Sequence, residues 1–535
     1  MMIIGVVAAI LIIVGGALAF MGGSHDDDPT HLTVAAHSNI KEPEAGFSPL
    51  VGWGCGHQNY NPLVQSCLFK TDKSGDIVPD LATDYSISGD GKTWTVHVRD
   101  DVQFSDNSTF DAEDVAFTFN TAKETESELD LTNIEKVEAT DNKTVEFTLV
   151  EPRSTFIYDL RYVGIVPSDS YDNTTYGENP IGTGPYVLDH WDKGQQAIFK
   201  INDNYYGDKP YFTQLTMLFP EEATWLELAK SGDVDVVPVA TSALNQTVDG
   251  YQFVEKSAGR AQGVSFPYQY DTGDSWNGTW KIGNNVTADK AIRQALNVGV
   301  NRQTMCDDIF AGHATPEYTG VDTRDYVNNE AKVKDGDVDQ AKAILKEGGW
   351  EDTDGDGIVE KDGVKASFDL YYPPDYLDRQ SLATVFAEQA KEIGIEVNLV
   401  GADWDTIYAN MYSSAALMQQ TSPDPYKSIY QQYHSKEADG FYMNPGLYNN
   451  TDSDKLMDDA MHSSDLNAAN TLWSQSALVN GGGWSPAGDA PFVWLVNYDY
   501  NYFIKDGIDI GEQPDGLGND ILINICDWTR TNSTA

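Results

Sequence analysis

A glycine-rich segment, GWGCGHQNY from Gly52 to Tyr60, has the most unusual local composition in the chain. Its glycines leave the backbone open to close approach, while Trp53, His57 and Tyr60 offer aromatic faces with polar tips. Cys55 and His57 also supply a sulfur and an imidazole, which suit a borderline metal such as nickel. We predict that Trp53, His57 and Tyr60 contact a ligand, and a surface loop is the alternative. Two neighbouring donors alone do not define a metal site.

Hydrolytic chemistry has no support in the residue pattern. The sequence contains no Gly-x-Ser-x-Gly turn to expose a serine nucleophile and no His-Glu-x-x-His pair to hold zinc. The nine histidines are dispersed without the spacing of metal ligands. The Gly182–Gly184 turn lacks the Lys-Ser/Thr that follows in a phosphate-binding loop. Catalysis therefore has no positive evidence in the sequence, and we expect no resident cofactor or metal.

An acidic loop at Asp352, Asp354 and Asp356 matches the first half of an EF-hand calcium loop. Carboxylates at alternate positions, followed by a glycine, are typical of such loops. The twelfth position is Gly363, however, where a bidentate glutamate is needed. The loop therefore predicts a structural turn, and a weak calcium site is the alternative.

Length and charge limit the class of protein. At 535 residues the chain exceeds the ~250–300 residues at which one hydrophobic core stops growing, so at least two lobes are expected. The 83 acidic residues outnumber the 34 basic ones, and the net charge of −49 opposes binding to nucleic acid or anionic lipid headgroups. The four cysteines are too few for a disulfide scaffold, although Cys55 and Cys67 could pair outside the cell.

An apolar stretch occupies residues Met2 to Met21. At ~1.5 Å per residue in a helix, it can cross a hydrocarbon layer of ~30 Å. It lacks a Lys/Arg-rich start and an Ala-x-Ala exit, and no lipobox cysteine follows it. These features predict an uncleaved N-terminal anchor, and a cleaved signal peptide is the alternative. Either interpretation places the remaining chain outside the membrane.

Hydrophobic periodicity predicts strands and helices in alternation. Period-two patterns indicate half-buried strands at Thr93–Val98 and Thr144–Leu149. Asp111, with carboxylates in the turn after it, predicts the start of a helix. Further predicted elements are helices at Thr287–Ile309 and Ser381–Ile393 and strands at Ser367–Tyr372, Glu396–Val400 and Ala490–Asn497. The strand–helix–strand run that ends at Val400 favours a parallel pair with a right-handed crossover.

The residues from Asn61 to Phe119 carry a resemblance to a known family. They contain, in order, Pro-Leu-Val, Ile-Val-Pro-Asp-Leu-Ala, Gly-Lys-Thr-Trp-Thr, Arg-Asp-Asp-Val-Gln-Phe-Ser and Asp-Ala-Glu-Asp-Val. This series resembles the signature region of the extracellular solute-binding proteins of ABC importers, family 5, which handle dipeptides, oligopeptides and nickel. One such element arises easily by chance, but all of them in this order do not. The resemblance extends from about Leu32 to about Asn497.

The resemblance implies an α/β fold of two lobes, like that of the type II periplasmic binding proteins. A ligand cleft would lie between the lobes, and the first lobe would carry an extra subdomain. The implied boundaries are an N-terminal anchor or signal and stalk at 1–28, lobe I at 29–262, lobe II at 263–486 and a return to lobe I at 487–535. Two crossing strands would form the hinge, near Ala258–Tyr268 and Ser485–Asn497.

The resemblance also implies further ligand-binding residues. Arg153 and Arg161 lie in a segment that approaches the cleft from the first lobe, where a guanidinium could hold a ligand carboxylate. Of the two, Arg161 is the predicted contact, together with Trp404, Tyr408 and Asp424 on the wall of the second lobe. Peptide-binding relatives carry an acidic residue shortly before the Asp-Pro step, whereas here Gln, Gln, Thr and Ser precede Pro-Asp-Pro. This departure weakens a clamp for a peptide ammonium group, and Asp424 could instead cap the helix that follows.

The predicted function is the substrate-binding component of an ABC importer of the dipeptide, oligopeptide and nickel class. Such a protein captures a short peptide or a nickel chelate outside the cell, closes its hinge, and docks on the permease and ATPase subunits. We expect a monomer that binds no nucleic acid and contacts the membrane through its N-terminal segment. The alternative from another class is a surface sensory module with the same fold and no dedicated permease.

Overall fold

The computed structural model describes residues 28–37, 42–43, 46–51, 63–125, 130–276, 278–437, 443–514 and 521–531. Among the helices in these ranges, none combines the length and the hydrophobicity that a membrane span requires. The apolar stretch Met2–Met21 lies outside the described residues. The same is true of Trp53, Cys55, His57 and Tyr60, so what the sequence predicts for them stays a prediction.

The described residues form short strands and helices that alternate along the chain. The strands are β1 (His31–Ala35), β2 (Phe69–Thr71), β3 (Ile77–Pro79), β4 (Ala82–Ile87), β5 (Thr93–Val98), β6 (Ile134–Asp141), β7 (Thr144–Leu149), β8 (Tyr186–Asp192), β9 (Gln196–Ile201), β10 (Gln214–Leu218), β11 (Val236–Pro238), β12 (Tyr251–Ser265), β13 (Ser275–Trp276), β14 (Trp280–Lys281), β15 (Ala314–Pro316), β16 (Glu360–Lys361), β17 (Val364–Lys365), β18 (Ser367–Tyr372), β19 (Glu396–Gly401), β20 (Ala415–Gln420), β21 (Phe492–Lys505), β22 (Ile508–Asp509) and β23 (Thr529–Arg530). The α-helices are α1 (Ala112–Glu124), α2 (Phe156–Leu160), α3 (Trp225–Ser231), α4 (Lys290–Gly299), α5 (Arg302–Phe310), α6 (Val338–Glu347), α7 (Leu377–Glu392), α8 (Trp404–Asn410), α9 (Gln431–Tyr433), α10 (Thr451–Met461) and α11 (Leu466–Ser476).

The two half-buried strands predicted from period-two patterns are confirmed. They are β5 and β7, and their bounds agree with the prediction. In β5 the side chains of Trp94, Val96 and Val98 are buried, because alternate side chains of a strand share one face.

Helix α1 begins at its predicted capping residue. The carboxylate of Asp111 accepts a hydrogen bond of 2.9 Å from the backbone N–H of Glu113. In return, the carboxylate of Asp114 accepts one of 2.9 Å from the N–H of Asp111. This reciprocal pair satisfies N–H groups that the first turn of a helix leaves without partners.

The helical region predicted at Thr287–Ile309 contains two helices rather than one. The backbone leaves the helical conformation at Val300, with φ −66° and ψ 145°. The side chain of Asn301 then accepts a hydrogen bond of 3.0 Å from the N–H of Thr304 and starts α5. An asparagine favours such an N-cap over a place inside a helix, which explains the break.

One large mixed sheet extends through both lobes. Its strand order is β19-β18-β20-β12-β21-β11-β1-β10-β9-β8, and β15 also pairs with β21. In the first lobe β1 is parallel to β10 and β11, and in the second lobe β18 is parallel to β19 and β20. The pair of β18 and β19 with α7 between them confirms the predicted strand–helix–strand unit, although α7 already begins at Leu377.

The long strands β12 and β21 connect the two lobes. They are antiparallel to each other, and β21 pairs with β11 of the first lobe while β12 pairs with β20 of the second. Their register shifts between Lys256 and Arg260, in the middle of β12. This irregular stretch overlaps the hinge predicted near Ala258–Tyr268.

A four-stranded antiparallel sheet forms a subdomain of the first lobe. Its order is β4-β5-β7-β6, and α1 packs on β6 and β7. The rings of Trp94, Phe119, Phe147 and Phe156 meet edge to face in its core. The chain that leaves β7 runs through Arg153 into α2 and faces the second lobe.

Candidate ligand-binding cleft

Trp404 and Tyr408 form a stacked pair on α8 of the second lobe. Residues four apart share one face of a helix, and their ring centroids are 5.6 Å apart at an interplanar angle of 25°. The carboxylate of Asp403 caps this helix by accepting a hydrogen bond of 2.9 Å from the N–H of Thr406. The guanidinium of Arg379 lies 5.2 Å from the centroid of the Trp404 ring. The two aromatic residues predicted for the cleft wall therefore stand beside a cation that the sequence analysis does not single out.

Arg379 is a buried arginine whose hydrogen-bond donors are only partly used. It lies in the first turn of α7 and is 6 % exposed. Its Nη2 donates to Oε1 of Gln419 at 2.7 Å. Its Nε and Nη1 are buried and have no hydrogen-bond partner among the described residues. Because a guanidinium presents its N–H groups in a planar fork, these donors suit the two oxygens of a carboxylate.

A single amide oxygen serves three donors at this place. Oε1 of Gln419 accepts hydrogen bonds from Nε of Arg260 at 3.0 Å, Nε2 of Gln262 at 2.8 Å and Nη2 of Arg379 at 2.7 Å. A carbonyl oxygen has two lone pairs, so the donors outnumber what this acceptor can satisfy well. The cluster of Arg260, Gln262, Arg379 and Gln419, called here the donor cluster, thus directs three donors at one oxygen and leaves Nε and Nη1 of Arg379, as well as Oε1 of Gln262, without partners among the described residues.

Arg260 supplies the second cation of the donor cluster. It is buried in β12, with its guanidinium 4.5 Å and 5.1 Å from the ring centroids of Tyr498 and Tyr500. Burial lowers the pKa of Arg260, but the two tyrosines and Asp378 raise this pKa by more, so it lies above its ordinary value. Asp378 also accepts a hydrogen bond from the Tyr498 hydroxyl. Arg260 is therefore held as a cation inside the protein.

Arg161, the predicted first-lobe contact, lies at the end of α2 and is 2 % exposed. Its Nη1 donates to Oγ1 of Thr71 at 2.9 Å, and its guanidinium lies 4.9 Å from the centroid of the Tyr158 ring. Burial raises the pKa of Tyr158 to about 12, and the charges of Arg161, Asp424 and Arg324 all act on this hydroxyl. Tyr158 therefore marks a place where the first lobe meets the second.

Asp424 caps the turn that follows it, as the alternative interpretation predicts. Its Oδ1 accepts a hydrogen bond of 2.9 Å from the N–H of Tyr426. Its Oδ2 lies 3.1 Å from Nη2 of Arg153, whose Nη1 lies 2.8 Å from Oδ2 of Asp159. Two carboxylates of the protein thus occupy the guanidinium of Arg153, and the role considered for it, holding a ligand carboxylate, stays a prediction.

Arg324 lies close to the position where peptide-binding relatives carry an acidic residue. It is 9 % exposed, and its Nη2 donates to the carbonyl oxygens of Thr421 at 2.9 Å and Gly259 at 3.4 Å. A cation at this place repels a ligand ammonium group and attracts a carboxylate.

The acidic loop is a turn, as predicted, and it gathers one further carboxylate. Oxygens of Asp352, Asp354, Asp356 and Glu360 all lie within 4.8 Å of one another. The carboxylate of Asp352 accepts hydrogen bonds from backbone N–H groups inside the loop, and Lys365 forms an ion pair with Asp356. Counted from Asp352, Glu360 is the ninth residue, a position from which an EF-hand loop often binds calcium through a water. The calcium alternative stays a prediction.

Arg260, Arg324 and Arg379 are the cleft residues that sequence analysis misses. The predicted start of α7 at Ser381 leaves Arg379 in a loop, where an arginine is expected to be solvated. Arg260 lies inside a strand, and Arg324 lies in a segment without periodicity. Basic residues number only 34 in 535, and the scarcity of arginine is the one signal that the sequence offers for these positions.

Comparisons with known proteins show the family to which the chain belongs. The model of the family "Bacterial extracellular solute-binding proteins, family 5 Middle" matches residues 76–440. Protein XP55 of Streptomyces lividans is 32% identical over 503 residues, which cover 91% of this chain and 86% of XP55. The oligopeptide-binding protein AppA of Bacillus subtilis is 27% identical over 459 residues, which cover 80% of either chain.

Solved structures share the whole fold. The crystal structure of NikZ from Campylobacter jejuni in complex with Ni(L-His) superposes with a TM-score of 0.75 at 22% identity, over 94% of this chain and 100% of NikZ. The protein thus has the two-lobed α/β fold of the periplasmic binding proteins. It is a binding protein and not an enzyme, since the matched family consists of solute-binding proteins. The chain belongs to family 5 of the bacterial extracellular solute-binding proteins.

Proposed function

We propose that the protein captures a small carboxylate-bearing cargo at the outer face of the cell membrane and delivers it to the permease and ATPase subunits of an ABC importer. The family supports the capture step. The names of two similar proteins indicate the cargo classes, since AppA is an oligopeptide-binding protein and NikZ is in complex with Ni(L-His). A short peptide and a nickel chelate both carry carboxylates.

The donor cluster is the observation that carries the carboxylate assignment. Nε and Nη1 of Arg379 are buried and have no partner among the described residues. Buried donors without acceptors cost free energy, about 1–3 kcal/mol each and more for charged groups, so a bound acceptor recovers that cost. A carboxylate supplies two oxygens and a negative charge at once.

The charges around Asp424 bear on the choice between peptide and chelate. Asp424 is the one carboxylate in the sequence from Ala415 to Tyr430, and Arg153 occupies it. Arg153 also pairs with Asp159, so its guanidinium holds both carboxylates of this place. Asp424 is therefore not available to hold a ligand ammonium group. This arrangement favours a chelate over a peptide held by its ammonium group.

Contacts from both lobes must drive closure, because a ligand shifts a conformational equilibrium only by its differential affinity for the two states. On the second lobe we assign Arg379, Trp404 and Tyr408 to the cargo. On the first lobe we assign Arg161, and Trp53, His57 and Tyr60 stay predicted contacts. Asp424 acts on this site through Arg153 rather than by direct contact.

The N-terminal apolar stretch supports a location at the outer membrane face. Residues Met2 to Met21 are long enough to cross the hydrocarbon layer, as expected for an anchor. The net charge of −49 suits a soluble exterior. A mass measurement of the mature protein would distinguish an uncleaved anchor from a cleaved signal peptide.

A thermal-shift screen after chelator treatment tests the cargo class. The ligands are a peptide library, nickel alone, and nickel with histidine. Binding to the native state alone raises stability by RT ln(1 + [L]/Kd), about 2.7 kcal/mol at 100-fold saturation. We expect a rise with Ni–histidine or with peptides and none with nickel alone. A screen in which every ligand leaves the midpoint unchanged would contradict the proposed cargo.

The surface sensory module is the second candidate, and its support is the anchor, which suits signalling as well as import. Deletion of the gene separates the two. Loss of uptake of the identified cargo supports import, whereas normal uptake with a lost response to that cargo supports sensing.

A further inference from the structure

Arg153 forms a contact between the two lobes that does not involve the donor cluster. Arg153 follows β7 of the first-lobe subdomain, and Asp424 lies between β20 and the π-helix Tyr426–Tyr430 in the second lobe. Nη2 of Arg153 lies 3.1 Å from Oδ2 of Asp424. The two side chains are 3 % exposed each. An ion pair this deeply buried forms only when the lobes are closed upon each other.

Two further contacts surround this ion pair. The guanidinium of Arg153 lies 4.1 Å from the centroid of the Tyr426 ring, a cation–π arrangement between the lobes. The backbone N–H and the hydroxyl of Ser154 donate to the carbonyl oxygens of Met461 and Ala460, each at 2.8 Å. These carbonyls belong to the last turn of α10, and that of Ala460 also accepts a hydrogen bond of 3.2 Å from the N–H of Ser463. The first lobe therefore caps a helix of the second.

The first lobe supplies Arg153 with a permanent counter-ion. Nη1 lies 2.8 Å from Oδ2 of Asp159, and Nε donates to Oγ1 of Thr155 at 3.1 Å, and both partners lie on the same short stretch of chain. On opening, Arg153 would keep these two partners and lose Asp424. Asp424 would keep its cap of the Tyr426 N–H. Arg153 therefore keeps a counter-ion when the lobes part, which limits the cost of breaking the contact.

We propose that Arg153, Ser154, Asp424 and Tyr426 form a latch that holds the two lobes closed whether or not cargo is bound. The latch adds a constant bias toward the closed state. Since the apparent Kd equals the intrinsic Kd divided by the fraction of competent protein, this bias strengthens the binding of every cargo by the same factor. The inference rests on the two-lobed fold and on these contacts, not on the identity of the cargo.

Hydrogen exchange of the full chain without added ligand tests the latch. The variant Asp424→Asn keeps an oxygen to cap Tyr426 and removes the charge that Arg153 binds. The matched control is Asp289→Asn. Asp289 caps α4 through the Ala291 N–H at 2.9 Å and pairs with Lys361 at 2.6 Å, but both partners belong to the second lobe.

The amide of Ser154 reports the state of the latch, because its N–H donates to Met461 across the lobes. We expect its exchange, and that of the last turn of α10, to be about ten-fold faster in Asp424→Asn than in the native protein. In the control Asp289→Asn, the exchange rate of these amides should equal that of the native protein. Equal exchange in Asp424→Asn and the native protein would overturn the proposal.

A second variant guards against a purely local effect of Asp424. Tyr426→Leu removes the ring beneath Arg153 and leaves the backbone N–H that Asp424 binds. Like Asp424→Asn, this variant should make exchange of the Ser154 amide faster than in the native protein. Faster exchange throughout the second-lobe core in both variants would mean that they unfold the lobe, and it would also overturn the latch.

Discussion

Arg153 and Arg379 are both buried guanidinium groups, and they differ in what surrounds them. Arg153 lies between the carboxylates of Asp159 and Asp424, at 2.8 Å and 3.1 Å. Arg379 donates to the neutral amide of Gln419 and retains two buried donors without partners among the described residues. A buried cation without a counter-ion is costly, so natural proteins keep one where a ligand supplies the charge.

Replacement of Arg379 by glutamine should weaken cargo binding. Gln removes the charge and the planar fork, and hydrogen bonds to charged groups are worth about 1.5–3 kcal/mol. We expect the Kd for a carboxylate cargo to rise about 10- to 100-fold, measured by isothermal titration. The control is Arg99→Gln, since Arg99 pairs with Asp101 on the subdomain at 2.8 Å. A native Kd in Arg379→Gln would refute the role of this arginine.

Asp159 should make stability depend on pH. Burial raises the pKa of Asp159 to about 6, although Arg153 opposes this. Because this folded-state pKa exceeds the unfolded value, the folded protein binds the extra proton between about pH 4 and pH 6. Protonated Asp159 therefore adds to the free energy of unfolding at low pH, and this contribution is lost as the pH rises through 6.

The variant Asp159→Asn isolates this effect from the many other carboxylates. Relative to the variant, the native protein should gain about 1–3 kcal/mol in free energy of unfolding between pH 7 and pH 4. Urea denaturation followed by tryptophan fluorescence at both pH values measures the difference. If the free energies of unfolding of the native protein and the variant differ by the same amount at pH 7 and pH 4, the pKa of Asp159 is not raised.

At the scale of elements, β12 and β21 pack closely where the sequence predicts the hinge. A Cβ on Gly263 would lie 2.6 Å from Cε3 of Trp494 and 2.9 Å from its Cα. Gly263→Ala should therefore destabilise the protein by about 1–3 kcal/mol, as overpacking does. Gly89→Ala is the control, because a Cβ there meets no atom within 4 Å. Equal urea midpoints for the two variants would show that β12 and β21 can move apart to accept the Cβ without a loss of stability.

The sequence predicts elements well where the local pattern decides them. The bounds of β5 and β7 follow from strict alternation, and the start of α1 follows from Asp111. The break between α4 and α5 is harder to predict, because the apolar face continues through this region while Asn301 alone indicates a new N-cap. The bounds of the two lobes stay a prediction.

The cleft is less accessible to sequence analysis because its parts come from distant segments. Arg260, Arg379 and Gln419 meet only through the pairing of β12 with β20 and the placement of α7. No local spacing encodes that meeting. Trp404 and Tyr408 are easier to find, since one helical face carries both.

At the scale of the whole molecule, the net charge of −49 should make stability depend on salt. Like charges repel in the compact state, and the Debye length falls from ~10 Å at 0.1 M to ~3 Å at 1 M. We expect the thermal midpoint to rise with NaCl and to level off as screening becomes complete. A midpoint that falls, or that rises without levelling, would contradict screening as the cause.

Titration of one ligand as the free acid and as its methyl ester tests the central claim most directly. The ligand is the peptide identified by the thermal-shift screen or, for a chelate, a chelator esterified at a carboxylate that does not bind the metal. The measurement is isothermal titration of the full chain. If a carboxylate binds the donor cluster, the ester should bind about 100-fold more weakly, because it loses the charge that Arg379 and Arg260 attract. Equal affinities for the acid and the ester would contradict the account.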